Sequence, residues 1–231
     1  MILDRKTLNN GSFLNALQEI SGSERWSENR IEQSMKNMLK THVAGEPLWI
    51  FAYGSLICNP LFQYVEKQLA VVEGWHRSFC IRLILGRGTV KCPGRMLALE
   101  QGGRASGLVY RFHEENQENE LRMVWMREMV GGFYQPVWAD VTVDDGRTVR
   151  AIIFAADPAN IFYEKDSSPD NIISCISTAY GKLGSNRDYV LRLNDSLCHY
   201  GIVDEYIHEL AARLRAKALS EKDPDNNGPS C

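Results

Sequence analysis

From Leu48 the chain takes on the texture of a β-sheet and keeps it as far as Asp157. Short apolar runs follow one another, each stopped by Gly, Pro or Asp, and a chain patterned this way must bury one face of a sheet. The runs are LWIFAY (48–53), LAVVEGW (69–75), SFCIRLIL (78–85), RMLALE (95–100), ASGLVYRF (105–112), PVWADVTV (136–143) and TVRAIIFAAD (148–157). Alternation is clearest in the third, where Phe79, Ile81, Leu83 and Leu85 interleave with Cys80, Arg82 and Ile84. Gly102 and Gly103 read as a hairpin turn between the fourth and fifth runs, and Asp144 to Gly146 as a turn between the last two. Six or seven strands with mostly short connections imply a mixed α+β fold, a curled or partly closed β-barrel with helices packed outside it.

The flanks are helical. Ser27 to His42 carries Ile31, Met35 and Met38 at helical spacing, with Ser27 as the cap. One helix, Glu114 to Met129, interrupts the strands, and three more are expected at Asp170 to Gly181, Asn186 to Gly201 and Val203 to Ser220. The last presents Val203, Ile207, Leu210 and Leu214 on one stripe. The chain thus reads as one domain over 1–220, with an N-terminal helical extension (1–47), a barrel core (48–156) and C-terminal helices (170–220). A tail at 221–231, EKDPDNNGPSC, is expected to be disordered.

A formal charge of -3 offers no general attraction for polyanions. Positive charge clusters only locally, at Arg77, Arg82, Arg87, Lys91 and Arg95, which suits a small anionic ligand better than nucleic acid; a solvated basic face is the plainer alternative. The six cysteines form no CxxC pair and none stands at zinc-ligand spacing from a histidine, so free thiols in a reducing compartment are expected. With no secretory signal and no run long enough to cross a membrane, the expected location is cytoplasmic.

Two features carry chemistry. Counting from Leu121, the positions three, four and seven residues on are Val124, Trp125 and Glu128, so a carboxylate stands where the apolar stripe calls for another Leu. Glu128 also lies in the last helical turn, before Gly131 and Gly132, where the macrodipole disfavours an anion. Burial and dipole both raise a carboxyl pKa, the condition for a group that takes a proton and returns it. A salt bridge to Arg127 or to an arginine of the sheet is the structural alternative, and the helix alone leaves both open. The second feature is WIFAYGSLICNP (49–60), a strand that stops at Gly54. A glycine there brings main-chain N–H groups close to a carboxylate or a forming oxyanion, and Ser55 adds a hydroxyl.

Taken in order, FAYGSLICNP, GWHRSFCIRL, GRGTVKCPGRMLALE, SGLVYRF, REMVGGFYQPVW and GKLGSNRDYVLRL resemble the blocks of the ChaC-type glutathione-specific γ-glutamylcyclotransferases, over about Leu48 to Gly201. The resemblance implies a barrel-like core with surrounding helices and cleavage of glutathione to 5-oxoproline and cysteinylglycine, with no metal and no cofactor. The substrate's own α-amine is the nucleophile, so no catalytic Ser or Cys is needed. By resemblance Glu128 is the shared acid and base, and Ala52, Tyr53, Gly54, Ser55, Leu56 and Ile57 bind the γ-glutamyl part. Tyr189 resembles a family aromatic close to the ligand. At Cys58 the chain departs from many relatives, which carry Trp. Arg82 and Arg95 are candidates for substrate carboxylates, with structural ion pairs as the alternative. The expected partner is small-molecule glutathione, with neither nucleic acid nor membrane, and monomer and dimer both stay open. Two rival classes stand beside this reading: a cyclotransferase for other γ-glutamyl dipeptides or amines, and a non-catalytic γ-glutamyl-binding regulator of cation transport.

Overall fold

The computed structural model describes residues 4–13 and 26–222. Its centre is a barrel of β1 (Trp49–Ala52), β2 (Glu66–Leu83), β3 (Gly94–Arg111), β4 (Tyr134–Val143) and β5 (Thr148–Ala156). The strands run in the order β1-β3-β2-β4-β5, and parallel pairing of Trp49 with Ala151 and Ile50 with Ile152 closes the ring. Closure leaves no long unpaired edge, as the run of short connections suggests.

There are five barrel strands because four of the expected ones merge into two. LAVVEGW and SFCIRLIL lie on β2, and RMLALE and ASGLVYRF on β3. The hairpin expected at Gly102 and Gly103 does not form. Trp75 pairs with Gln101 and Glu73 with Arg104, so β3 holds one residue more than β2 over this interval. The two glycines, at φ 100° and 69°, absorb it as a bulge that bends the strand without reversing it. The chain reverses instead between Leu83 and Gly94. The Asp144–Gly146 turn does close a hairpin, with the Val143 N–H donating to the Arg147 carbonyl at 2.9 Å.

Seven helices surround the barrel among the described residues: α1 (Arg5–Asn9), α2 (Glu28–Leu39), α3 (Ser55–Cys58), α4 (Gln117–Glu128), α5 (Pro169–Thr178), α6 (Asn186–His199) and α7 (Glu205–Lys222). Ser27 caps α2, whose Ile31, Met35 and Met38 are buried as their spacing requires. Helix α5 stops at Thr178, short of the expected Gly181, because Tyr180–Gly181 (β6) pairs with Gly184–Ser185 (β7). Helix α7 begins after Asp204, whose carboxylate accepts from the Ile207 N–H at 3.0 Å. Ile207, Leu210 and Leu214 are buried, but Val203 precedes the helix and is 86% exposed, so it leaves the expected stripe. Residues 1–3 and 14–25 of the expected N-terminal extension and 223–231 of the expected tail lie outside the described residues.

Phe51, Phe79, Leu97, Leu99, Tyr110 and Phe154 fill the core, and Trp125 of α4 packs edge-on to Phe154 with ring centroids 5.2 Å apart. That contact seats the C-terminal end of α4 on the barrel. No helix among the described residues is long and apolar enough to cross a membrane.

Candidate active site

Strand β1 ends at Ala52, and the chain turns through Tyr53 and Gly54 into the single turn α3. Ala52, Tyr53, Leu56 and Ile57 are buried, so their side chains hold the corner in place, and what the corner offers outward is main chain and the Ser55 hydroxyl. Ser55 and Leu56 open the turn, where N–H groups have no carbonyl one turn earlier to donate to. Gly54 has φ -138° and ψ -127°, outside the left-handed region. Space beside it is tight: a Cβ at Gly54 would stand 3.1 Å from Leu97 Cδ2 and 3.4 Å from the Tyr189 hydroxyl. Tyr189, on the first turn of α6, therefore covers the glycine corner.

The corner is anchored by a residue that the sequence placed in a basic patch. Arg77 is fully buried; its Nε donates to the Tyr53 carbonyl at 2.7 Å, Nη2 to the Ser106 carbonyl, and Nη1 to Asp204 at 2.8 Å. Arg82 and Arg95, weighed as ligands of substrate carboxylates, both pair with Glu164, which is the structural alternative.

Glu128 is the last residue of α4, its side chain 12% exposed. Arg127 Nε stands 3.0 Å from Glu128 Oε1 but is not aligned to donate, and this oxygen is shut from solvent with no hydrogen bond among the described residues. Tyr53 and Tyr134 both feel the charge of Glu128. Neither can donate to it, because the Tyr53 hydroxyl donates to the Phe154 carbonyl at 2.6 Å and that of Tyr134 to the Leu97 carbonyl at 2.9 Å. Burial consequently pushes the Glu128 carboxyl above its ordinary value, while the Arg127 charge pulls the other way. Arg127 also donates to the Ser55 hydroxyl at 2.8 Å and to the Asn59 carbonyl, so one guanidinium ties the carboxylate to the glycine corner.

The Tyr189 hydroxyl makes no hydrogen bond to the described residues and feels the charges of Cys58, Glu128, Arg87 and Arg127; burial, then the Cys58 and Glu128 charges, raise its pKa. Glu128, Gly54, Ser55 and Tyr189 thus share one corner, while Ala52, Tyr53, Leu56 and Ile57 pack behind it. Cys58 is exposed at the end of α3, its sulfur 3.0 Å from the Ser196 hydroxyl. The sequence marked Arg77 only as one of a basic cluster and Arg127 only as a salt-bridge partner for Glu128, and it gave no signal for Tyr134. Among the described residues no group of His, Cys, Asp and Glu is arranged to hold a metal ion. A separate groove of about 640 Å³ along α2, lined by residues including Trp26, Arg30, Gln33 and Thr41, shares no residue with this corner, and no carboxylate lines it among the described residues.

This arrangement can be set beside known proteins. The ChaC-like protein family matches residues 48–217. The glutathione-specific gamma-glutamylcyclotransferase of Escherichia coli (strain K12) is 41% identical over 224 residues, covering 97% of this chain and 96% of that one. Glutathione-specific gamma-glutamylcyclotransferase 1 of Homo sapiens is 32% identical, covering 71% and 77%. In fold, the chain is similar to the yeast gamma-glutamyl cyclotransferase specific to glutathione, with a TM-score of 0.68 at 19% identity over 74% of this chain and 97% of that one. With a family match through the whole barrel and the helices that carry its corner, this chain belongs to the ChaC-like family.

Proposed function

We propose that the protein cleaves glutathione at its γ-glutamyl amide, releasing 5-oxoproline and cysteinylglycine. The observation that carries this reading is the buried Glu128 carboxyl, raised in pKa and with one oxygen unpartnered, held by Arg127 against the Gly54 corner. The names of the relatives supply the substrate class. Glu128 takes a proton from the substrate α-ammonium, and the freed amine attacks the γ-carbonyl to close a five-membered ring. Negative charge on the carbonyl oxygen meets the main-chain N–H groups at the start of α3. The C–N bond to the Cys residue then breaks, and its nitrogen receives a proton from Glu128. Over the whole reaction two protons leave the ammonium and two arrive on the departing nitrogen, so one carboxyl cycling between its two forms closes the balance with no outside acid or base. Tyr189 borders the ligand from above the corner, and Ser55 does so from below. The five described cysteines are free thiols, which suits the reducing cytoplasm.

Purified protein is incubated with glutathione, γ-glutamyl-alanine and oxidised glutathione, and 5-oxoproline is assayed. Release from glutathione in preference to the other two is expected, and Glu128→Gln lowers it by about a thousandfold. Equal rates on glutathione and γ-glutamyl-alanine would overturn the substrate, and wild-type turnover by Glu128→Gln would overturn the mechanism.

A further inference from the structure

Three arginines near the corner are committed to carboxylates: Arg77 to Asp204, Arg95 to Glu164 and Arg127 to Glu128. Arg87, in the loop between β2 and β3, is half-buried, and no carboxylate pairs with it among the described residues. Its Nη1 donates to the Ser185 carbonyl at 3.0 Å, and its guanidinium lies 5.6 Å from the Tyr189 ring centroid. Among the described residues this is the one hydrogen bond that its side chain donates. The loop beneath it is firmly held: the Leu183 N–H donates to the Gly86 carbonyl at 2.7 Å, and Gly181 passes so close that a Cβ there would stand 2.3 Å from the same oxygen. The guanidinium is thus presented, with free donors, by a backbone clamped to the β6–β7 ladder.

We infer that Arg87 is a specificity residue that binds the carboxylate at the far end of the leaving dipeptide, the glycine carboxylate of glutathione. The inference rests on the reading of Glu128 and Gly54 as the reacting corner. The α-carboxylate of the γ-glutamyl residue shares a carbon with the attacking amine and must stay beside that corner. The glycine carboxylate is two residues further on, and an extended dipeptide spans roughly 7 Å. Tyr189 bridges a gap of that order, with its hydroxyl over Gly54 at one end and its ring facing Arg87 at the other. A planar guanidinium matches a terminal carboxylate with two parallel N–H bonds, a geometry that an amide at the same place cannot complete. Burial and then the charge of Arg192 depress the Arg87 pKa, with Tyr189 and Asp188 acting against them, so an arriving anion works in the same direction as Asp188.

The test compares glutathione with its glycine-end primary amide as substrates of the wild type, Arg87→Met and Arg87→Lys. The wild type is expected to prefer glutathione by about ten- to hundredfold in kcat/KM, chiefly through KM. Arg87→Met lowers kcat/KM on glutathione to the level of the amide and leaves the amide's own value in place. Arg87→Lys keeps the charge without the fork and gives an intermediate ratio. A wild type that treats the two substrates alike, or an Arg87→Met variant that loses both equally or keeps the preference, overturns the inference. The same ligands titrated by calorimetry into Glu128→Gln read the contact without turnover. A preference for glutathione in binding, with no 5-oxoproline released by the wild type, would sink the proposed reaction and leave the carboxylate contact standing; absence of that preference overturns the contact whatever the turnover.

Discussion

A carboxyl group at the last position of a helix, with one oxygen closed off from water and without a hydrogen-bond partner, is easier to protonate than the same group in water. The Glu128 carboxyl is in that position, and its raised pKa has consequences for stability and for rate. The fold favours the protonated form. Its contribution is fully present below the ordinary value of 4.5 and is lost as pH rises through the higher folded value. Glu128→Gln should therefore melt no lower than the wild type at neutral pH, so its loss of turnover reports chemistry and not unfolding. In the proposed reaction the rate depends on the same group in the opposite sense, since only the ionised form accepts a proton. Arg127 holds the Glu128 pKa down, so Arg127→Gln should move the acid limb of the kcat/KM profile to higher pH. An unchanged limb in that variant argues that another group sets it. Glu128 was legible in the sequence because its misfit is local, a charge on an apolar stripe. The directions in which Tyr53 and Tyr134 send their protons were not, since Phe154 and Leu97 are distant in the chain.

At the scale of elements, the site depends on how α6 is fastened to the barrel. Asn186, fully buried at the start of that helix, accepts from the Arg95 N–H at 2.7 Å and donates to the Arg95 carbonyl at 2.9 Å. It thereby completes a strand-like pair of bonds at the start of β3, and three residues later the helix presents Tyr189 over Gly54. Asn186→Ala leaves both main-chain groups of Arg95 buried without partners, at a cost of about 2–4 kcal/mol. Thermal unfolding should show the loss, and KM for glutathione should rise as Tyr189 shifts. An unchanged KM at a lowered Tm means that Asn186 supports the fold alone. Helix α6 and its cap were visible in the pattern, but its tie to β3 was not. The same limit explains the bulge at Gly102 and Gly103: two glycines at positive φ serve a hairpin or a bulge equally well, and the pairing partner decides which.

For the whole molecule, Arg77 is the junction between the site and the C-terminal helices. Its side chain is 1% exposed and that of Asp204 is 14% exposed, and the pair joins the end of β1, the middle of β3 and the start of α7. Removing one partner strands the other in the interior. Asp204→Asn should cost about 3 kcal/mol and lower Tm by roughly 6–12 °C, with little dependence on salt because the pair is buried. A Tm within a degree of the wild type would show that the pair contributes nothing. The variant should also lose activity through Tyr53, since the guanidinium that loses its counter-ion holds the carbonyl at the glycine corner.

The alternation between Leu48 and Asp157, the spacing on α2 and α4, the Asp144–Gly146 turn and the misplaced charge at Glu128 all follow from residues within one turn or one hairpin of each other, so the order of the chain was enough to reveal them. Closure of the barrel by β1 on β5, the merging of four runs into two strands, and the sorting of the arginines into Arg77 the anchor, Arg95 the ion pair and Arg87, a cation with no carboxylate partner among the described residues, were decided by tertiary structure alone. The reason is physical: the free energy of a buried charge or a strand partner is set by groups that meet only after the chain has closed, and their sequence separation carries no trace of that meeting.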